Sequence, residues 1–288
     1  MISIFRFQFA VLIFSICFGE VRNWGSHSAY LVPEKRWEIG LFQPLRYGYN
    51  ESNEYSTYPL WFFVMPNLTI KKNHDKFSNY KIASKWSLVY PTPLLNMAAR
   101  NGIGGFIDPT FRMPPMLGLS SSLIMTKNIF GTNLTFNSGL DLGINFGDLD
   151  ERANIELPLL YHRLSVFQNG YGLHAGVDLH TSITKNISIL LDCDLSVLPG
   201  MGTKEADSRI AKLLGDYALE HKLLLIYEKS NRLRIITGYK YIYGKYPFGN
   251  ESRLLPFVPL LDSWVPIIEL QWGGSRKQIL SLTLFIDK

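Results

Sequence analysis

The stretch YGLHAGVDLHTSITKNISILLDCDLSV, residues 171–197, decides the fold. In its first half Tyr171, Leu173, Ala175, Val177, Leu179 and Ile183 fall on one side of a period of two, and Gly172, His174, Asp178, His180 and Ser182 on the other. After Thr184-Lys185-Asn186 the alternation resumes. Ile187, Ile189, Leu191, Cys193, Leu195 and Val197 oppose Ser188, Asp192, Asp194 and Ser196. A period of two puts alternate side chains on opposite faces of a sheet. Both halves exceed the five or six residues usual in soluble proteins and match the length that crosses a bilayer at a tilt.

Similar segments recur on either side: residues 36–41, 55–64, 81–90, 117–126, 134–146 and 155–167 before the hairpin, and 219–228, 232–245, 254–261, 264–272 and 279–287 after it. In the segment 134–146, Leu134, Phe136, Leu140, Leu142, Ile144 and Phe146 share a face against Thr135, Asn137, Asp141 and Asn145. Lys71 to Asn79 is strongly polar and reads as a loop tip. The predicted fold class is all-β, an antiparallel up-and-down transmembrane β-barrel of about 12 strands, within a range of about 10–14, since single-chain barrels close on even numbers. Two segments carry helical signals. Thr92 to Gly102 has a capping threonine, a proline in the first turn and a glycine past the end. Lys204 to Tyr217 places Ile210, Leu213, Leu214 and Tyr217 at helical spacing.

Residues 1–19 read as a signal peptide: Arg6 supplies a basic start, Phe7 to Phe18 a short apolar run and Gly19 a small cleavage residue. Residues 20–35 are then a periplasmic lead-in and 36–288 a single barrel domain. Past the signal only Cys193 remains, so no internal disulfide forms. Aromatic residues make up 14% of the chain, with 15 Tyr against 6 Trp, which suits the girdles at the edges of a bilayer. A mean hydropathy of +0.04, with no later apolar run of membrane-helix length, excludes a helical membrane protein and leaves a barrel. The net charge of +5 is scattered rather than gathered on one face, which argues against nucleic acid as a partner.

The sharpest chemistry lies within the hairpin. A three-residue turn with Asn186 in the left-handed position pairs Leu179 with Leu191 and sets Asp178 opposite Asp192. Two carboxylates in that register repel unless water, a proton or a cation intervenes. The residues expected to line the lumen are Asp141, His174, Asp178, His180, Asp192, Asp194, Lys222 and Lys240. A positive side chain from the later strands (Lys222, Lys240, Arg232 or Arg234) is expected to neutralise the aspartate pair. The rival arrangement is a divalent cation held with His174 or His180. No metal, cofactor or catalytic residue is assigned. Gly102-Ile103-Gly104-Gly105 lacks the lysine of a phosphate loop, no Gly-x-Ser-x-Gly elbow occurs, and no Ser/His spacing singles out a hydrolytic set. The chain is not expected to be an enzyme.

From Trp37 to Asp287 the chain resembles bacterial outer-membrane β-barrel proteins, through its export signal, bilayer-length amphipathic strands and abundant Tyr and Trp. It departs from them at the end: Leu280, Leu282, Leu284 and Ile286 form the last stripe, but Phe285 is on the other face and the chain closes with Asp287-Lys288. The resemblance implies a bacterial outer-membrane location, with membrane lipid and the barrel assembly machinery as partners. Two functions are compatible: a small pore or solute-binding barrel for small solutes or ions, and a structural barrel with a filled lumen and partner-binding loops. A soluble barrel with an apolar interior has the same period and the opposite polarity.

Overall fold

The computed structural model describes residues 24, 27–41, 43–99, 113–149, 164–198, 216–244 and 264–275. Twelve antiparallel strands close into one barrel. They are β1 (Arg36–Gly40), β2 (Leu45–Gly48), β3 (Asn53–Thr57), β4 (Asn67–Phe77), β5 (Tyr80–Val89), β6 (Met116–Ile129), β7 (Thr132–Asn145), β8 (Tyr171–Ser182), β9 (Ile187–Leu198), β10 (Asp216–Ser230), β11 (Leu233–Gly244) and β12 (Trp264–Ser275). Each strand pairs with its neighbour in sequence, and β1 meets β12 from Arg36↔Ser275 to Gly40↔Gln271. Closure gives every strand a partner on both sides, although β1 covers only Gln271–Ser275 of β12 and β3 only Thr69–Lys72 of β4.

The alternation becomes an inside and an outside. Glu54, Lys71, Thr135, Asp178, Asp192 and Lys240 point inward and are buried. Leu88, Leu123, Phe136, Leu140, Leu173, Val177, Leu195 and Leu225 point outward, 37–44% exposed. A barrel surrounded by water would invert this arrangement, so the polarity is opposite to that of a soluble barrel with an apolar core. The inner wall also carries apolar patches, the larger formed by Leu190, Leu224, Ile226 and Ile236.

Apart from the short link 41–44 between β1 and β2, connections alternate in length around the barrel. Residues 49–52, 78–79, 130–131, 183–186 and 231–232 make short turns at one end, and Phe130-Gly131 is a two-residue hairpin turn with both φ angles positive (48° and 83°). Residues 58–66, 90–115, 146–170, 199–215 and 245–263 connect strands at the other end. There the helix α1 (Thr92–Ala98) and the short helix α2 (Leu164–Asn169) lie in the long connections. Met65, Val89, Leu94, Leu95, Met113, Met116 and Phe167 pack into an apolar cluster at this end. The cluster is clamped by polar groups: Thr92 Oγ1 donates to Pro114 O (2.9 Å) and accepts from Met116 N (2.8 Å), while Asn96 accepts from Met113 N (3.1 Å).

Several elements differ from the sequence expectation. The polar run after Lys71 is strand β4, because Lys71 points into a lumen where charge is tolerated while Leu68, Ile70 and Phe77 supply its apolar exterior. Strand β2 was not anticipated; four residues are too few to show a period. Only the beginning of the segment 55–64 is strand, ending at Thr57. Leu164–Asn169, placed in a strand by its apolar residues, is helix α2, with Val166 and Phe167 buried. Tyr217 lies in β10 rather than in a helix, and the rest of the helix expected from Lys204 falls outside the described residues. So do the segments 254–261 and 279–287, the signal region 1–19 and the end of the helix predicted to run to Gly102. The barrel closes through β12, which begins with the segment expected at 264–272 and runs on to Ser275, where most of its pairing with β1 lies. The hairpin register is the expected one, but Asn186 does not take a positive φ. Instead the Thr184 hydroxyl accepts from Asn186 N (3.3 Å) and Ile187 N (3.1 Å), a side-chain turn that sets the same register.

Candidate functional site

The chain before β1 folds back into the lumen from the short-turn end. The guanidinium groups of Arg36 and Arg234 each lie over the Trp24 ring, 4.7 Å from its centroid. Beyond it, Ala29 N donates to Thr126 Oγ1 (2.7 Å) and Val32 N to Glu54 Oε2 (2.8 Å). Lys71 Nζ donates to Ser28 O (2.6 Å) and Tyr30 O (2.7 Å). These bonds satisfy backbone groups of a segment that has no sheet partner, and so fix it inside the wall. Glu54 in turn accepts from Arg46, with Nη2 2.7 Å away. Between this segment and the apolar cluster at the far end lies a cavity of about 460 Å³, whose lining includes His27, Lys85, Ser122, Asp141, His174 and Asp192.

Asp178, Asp192, Lys222 and Lys240 form one cross-strand row over β8–β11. Lys222 Nζ lies 2.8 Å from Asp192 Oδ2. Lys240 is turned away to Glu220. Asp178 is 2% exposed, yet both of its carboxylate oxygens lack a hydrogen-bond partner, as does Asp192 Oδ1. His27 reaches this pair from the N-terminal segment: one donor atom from each of His27, Asp178 and Asp192 lies within 4.8 Å of the other two. The Lys222 ammonium first, and then desolvation inside the barrel, lower the His27 imidazole to about 3, although its side chain is exposed to the lumen. The ring is therefore neutral at pH 7 and offers a lone pair.

A second chain of contacts joins three strands. His174 Nδ1 lies 2.9 Å from Asp141 Oδ2, and His174 Nε2 lies 3.0 Å from Ser122 Oγ. Ser122 and His174 sit on β6 and β8, two strands apart, and both are in register with Gly139 on β7. The imidazole crosses the space that a side chain at Gly139 would fill: a Cβ there would meet His174 Nε2 at 2.6 Å and also the Ser121 carbonyl oxygen. Gly139→Ala is expected to break the Ser122–His174 contact and to cost about 1–3 kcal/mol, the usual range for overpacking, measured by chemical unfolding in lipid vesicles. The order hydroxyl, imidazole, carboxylate is that of an activated nucleophile. However, β6 is paired on both sides, so its backbone N–H groups are used in the ladders and supply no donor pair for an oxyanion.

The remaining lumenal residues have separate partners. His180 Nε2 lies 3.1 Å from Ser188 Oγ, and Asp194 Oδ1 accepts from Asn137 (3.2 Å). Neither His174 nor His180 joins the Asp178–Asp192 pair; His27 does. Arg234 bonds Gln271 instead of the pair, and Arg232 is exposed in a turn. His27 and Ser122 were not among the sequence candidates. His27 lies in a non-periodic lead-in, and Ser122 sits in the run Ser120-Ser121-Ser122, whose composition gives no inward or outward face.

No protein-family model and no curated protein matches this chain. Among solved structures, a crystal structure of a variant of OccD1 (OprD) is similar over 89% of this chain, with 8% sequence identity and a TM-score of 0.38. This chain covers 64% of the length of that one.

Proposed function

We propose that this chain is a bacterial outer-membrane barrel that holds or passes small polar solutes through a gated, charged lumen. The observation that carries the reading is the outward girdle of exposed Leu, Val and Phe around buried Asp, Glu, Lys and Arg. Lipid is the exterior solvent that such a surface matches. On this reading residues 1–19 direct export, the barrel assembly machinery inserts the chain, and the short-turn end faces the periplasm, as in barrels of this kind. The cavity of about 460 Å³ is of the size that holds a small ligand. It lies between the N-terminal segment and the cluster around α1, which act as the two gates. No catalytic role or cofactor is assigned: the Ser122–His174–Asp141 chain serves to tie β6 to β8 across Gly139.

The second reading, a structural barrel with a filled lumen, is favoured by the bonds that hold residues 28–32 inside the wall. Planar-bilayer recording on the purified protein separates the two. Discrete current steps are expected. Insertion into lipid without current would select the filled barrel, and failure to partition into vesicles would sink both.

A further inference from the structure

We infer that His27, Asp178 and Asp192 form a divalent transition-metal site that latches the N-terminal segment to the barrel wall. This deepens the gated-lumen reading and rests on it. Three facts converge on the site. Asp178 is 98% buried, by its 2% exposure, with both oxygens unpartnered. A carboxylate in that position is costly unless it keeps a proton, is paired or coordinates a metal, and a bound metal takes the place of the proton. The only ion pair made with this dyad among the described residues is Lys222 on Asp192 Oδ2, which leaves Asp192 Oδ1 as a third unpartnered buried oxygen. A histidine from a different part of the chain then brings a nitrogen within 4.8 Å of both carboxylates.

The donor set fits a borderline ion. Two carboxylate oxygens and one imidazole nitrogen suit zinc or a neighbouring first-row ion, with a fourth position open to the cavity. Metal-to-ligand distances of about 2.1 Å put the ligand atoms closer together than they stand here, and small side-chain rotations bridge that gap. The ligands are also held from behind: Lys222 orients Asp192, while Lys71 and Thr126 fix the backbone of Ser28 and Ala29 next to His27. Because His27 lies outside the strands, occupancy ties the segment 28–32 to β8 and β9.

The test uses the full chain in detergent, first stripped with chelator and then titrated with zinc alone. Calorimetry is expected to give one zinc per chain, with a higher thermal midpoint and slower amide exchange over residues 28–32. His27→Ala leaves the barrel wall untouched, and Asp178→Asn is nearly isosteric. Each is expected to weaken zinc binding about 100-fold or more, beyond the 10–100-fold that loss of an outer-shell partner costs. No zinc binding to the parent chain, or equal binding to both variants, would overturn the site. Binding with unchanged exchange at 28–32 would overturn the latch. Absence of bilayer current with zinc binding intact would count against the channel reading and leave the site standing.

Discussion

Lysine at Val177 is expected to cost the barrel about 2–4 kcal/mol of folding free energy in a bilayer. Val177 is near the middle of β8, is 39% exposed on the outer face, and pairs with Phe136 and Cys193. Hydrocarbon cannot solvate an ammonium group at that depth, and the side chain is too far from either interface for its charge to reach water easily. Lysine at Ile183, in the short turn and 45% exposed, is expected to cost only about 0–1 kcal/mol, because it sits near the interface. Reversible urea unfolding in lipid vesicles gives both numbers. The gradient between them is the informative quantity. If the two lysines cost the same, the girdle does not face lipid.

The fold was legible wherever a strand is long and has one apolar face. Residues 171–197 gave their own register, including Leu179 against Leu191 and Asp178 against Asp192, because a slip of one residue would turn every side chain to the wrong face. Legibility failed where the two solvents of this barrel blur the pattern. In β4 the inner face carries Lys71, while on the outer face Lys72 and His74 separate Leu68 and Ile70 from Phe77, so little alternation is left to read. In α2, six residues are too short for a helical period to stand out against a strand. The candidate site was half visible for the same reason. Its two aspartates lie on a periodic hairpin and declare their face. His27 belongs to a segment without periodic structure, and nothing local indicates that the chain before β1 turns back into the lumen. Long-range hydrogen bonds such as Lys71 Nζ to Ser28 O decide that path.

Lys222→Met is expected to destabilise the barrel by about 3–5 kcal/mol in the presence of chelator. The substitution keeps the bulk of the side chain and removes the ammonium that lies 2.8 Å from Asp192 Oδ2. Asp192 is 1% exposed and faces Asp178, so two buried carboxylates would be left with no cation bonded to them. Breaking a buried pair from one side is costly because the surviving charge stays desolvated. Two companion variants fix the cause. Adding Asp192→Leu to Lys222→Met is expected to recover most of the loss, since the stranded charge disappears with its partner. Asp178→Asn alone is expected to be neutral or stabilising, by up to about 1 kcal/mol, because it relieves a like-charge pair directly opposite across two strands. An amide there also donates to Asp192, which the carboxylate cannot do. If Asp178→Asn instead destabilises as much as Lys222→Met, Asp178 is held by a positive partner of its own and the aspartates are not in conflict. If the double variant is no more stable than Lys222→Met, the lysine acts through packing of its stem rather than through its charge.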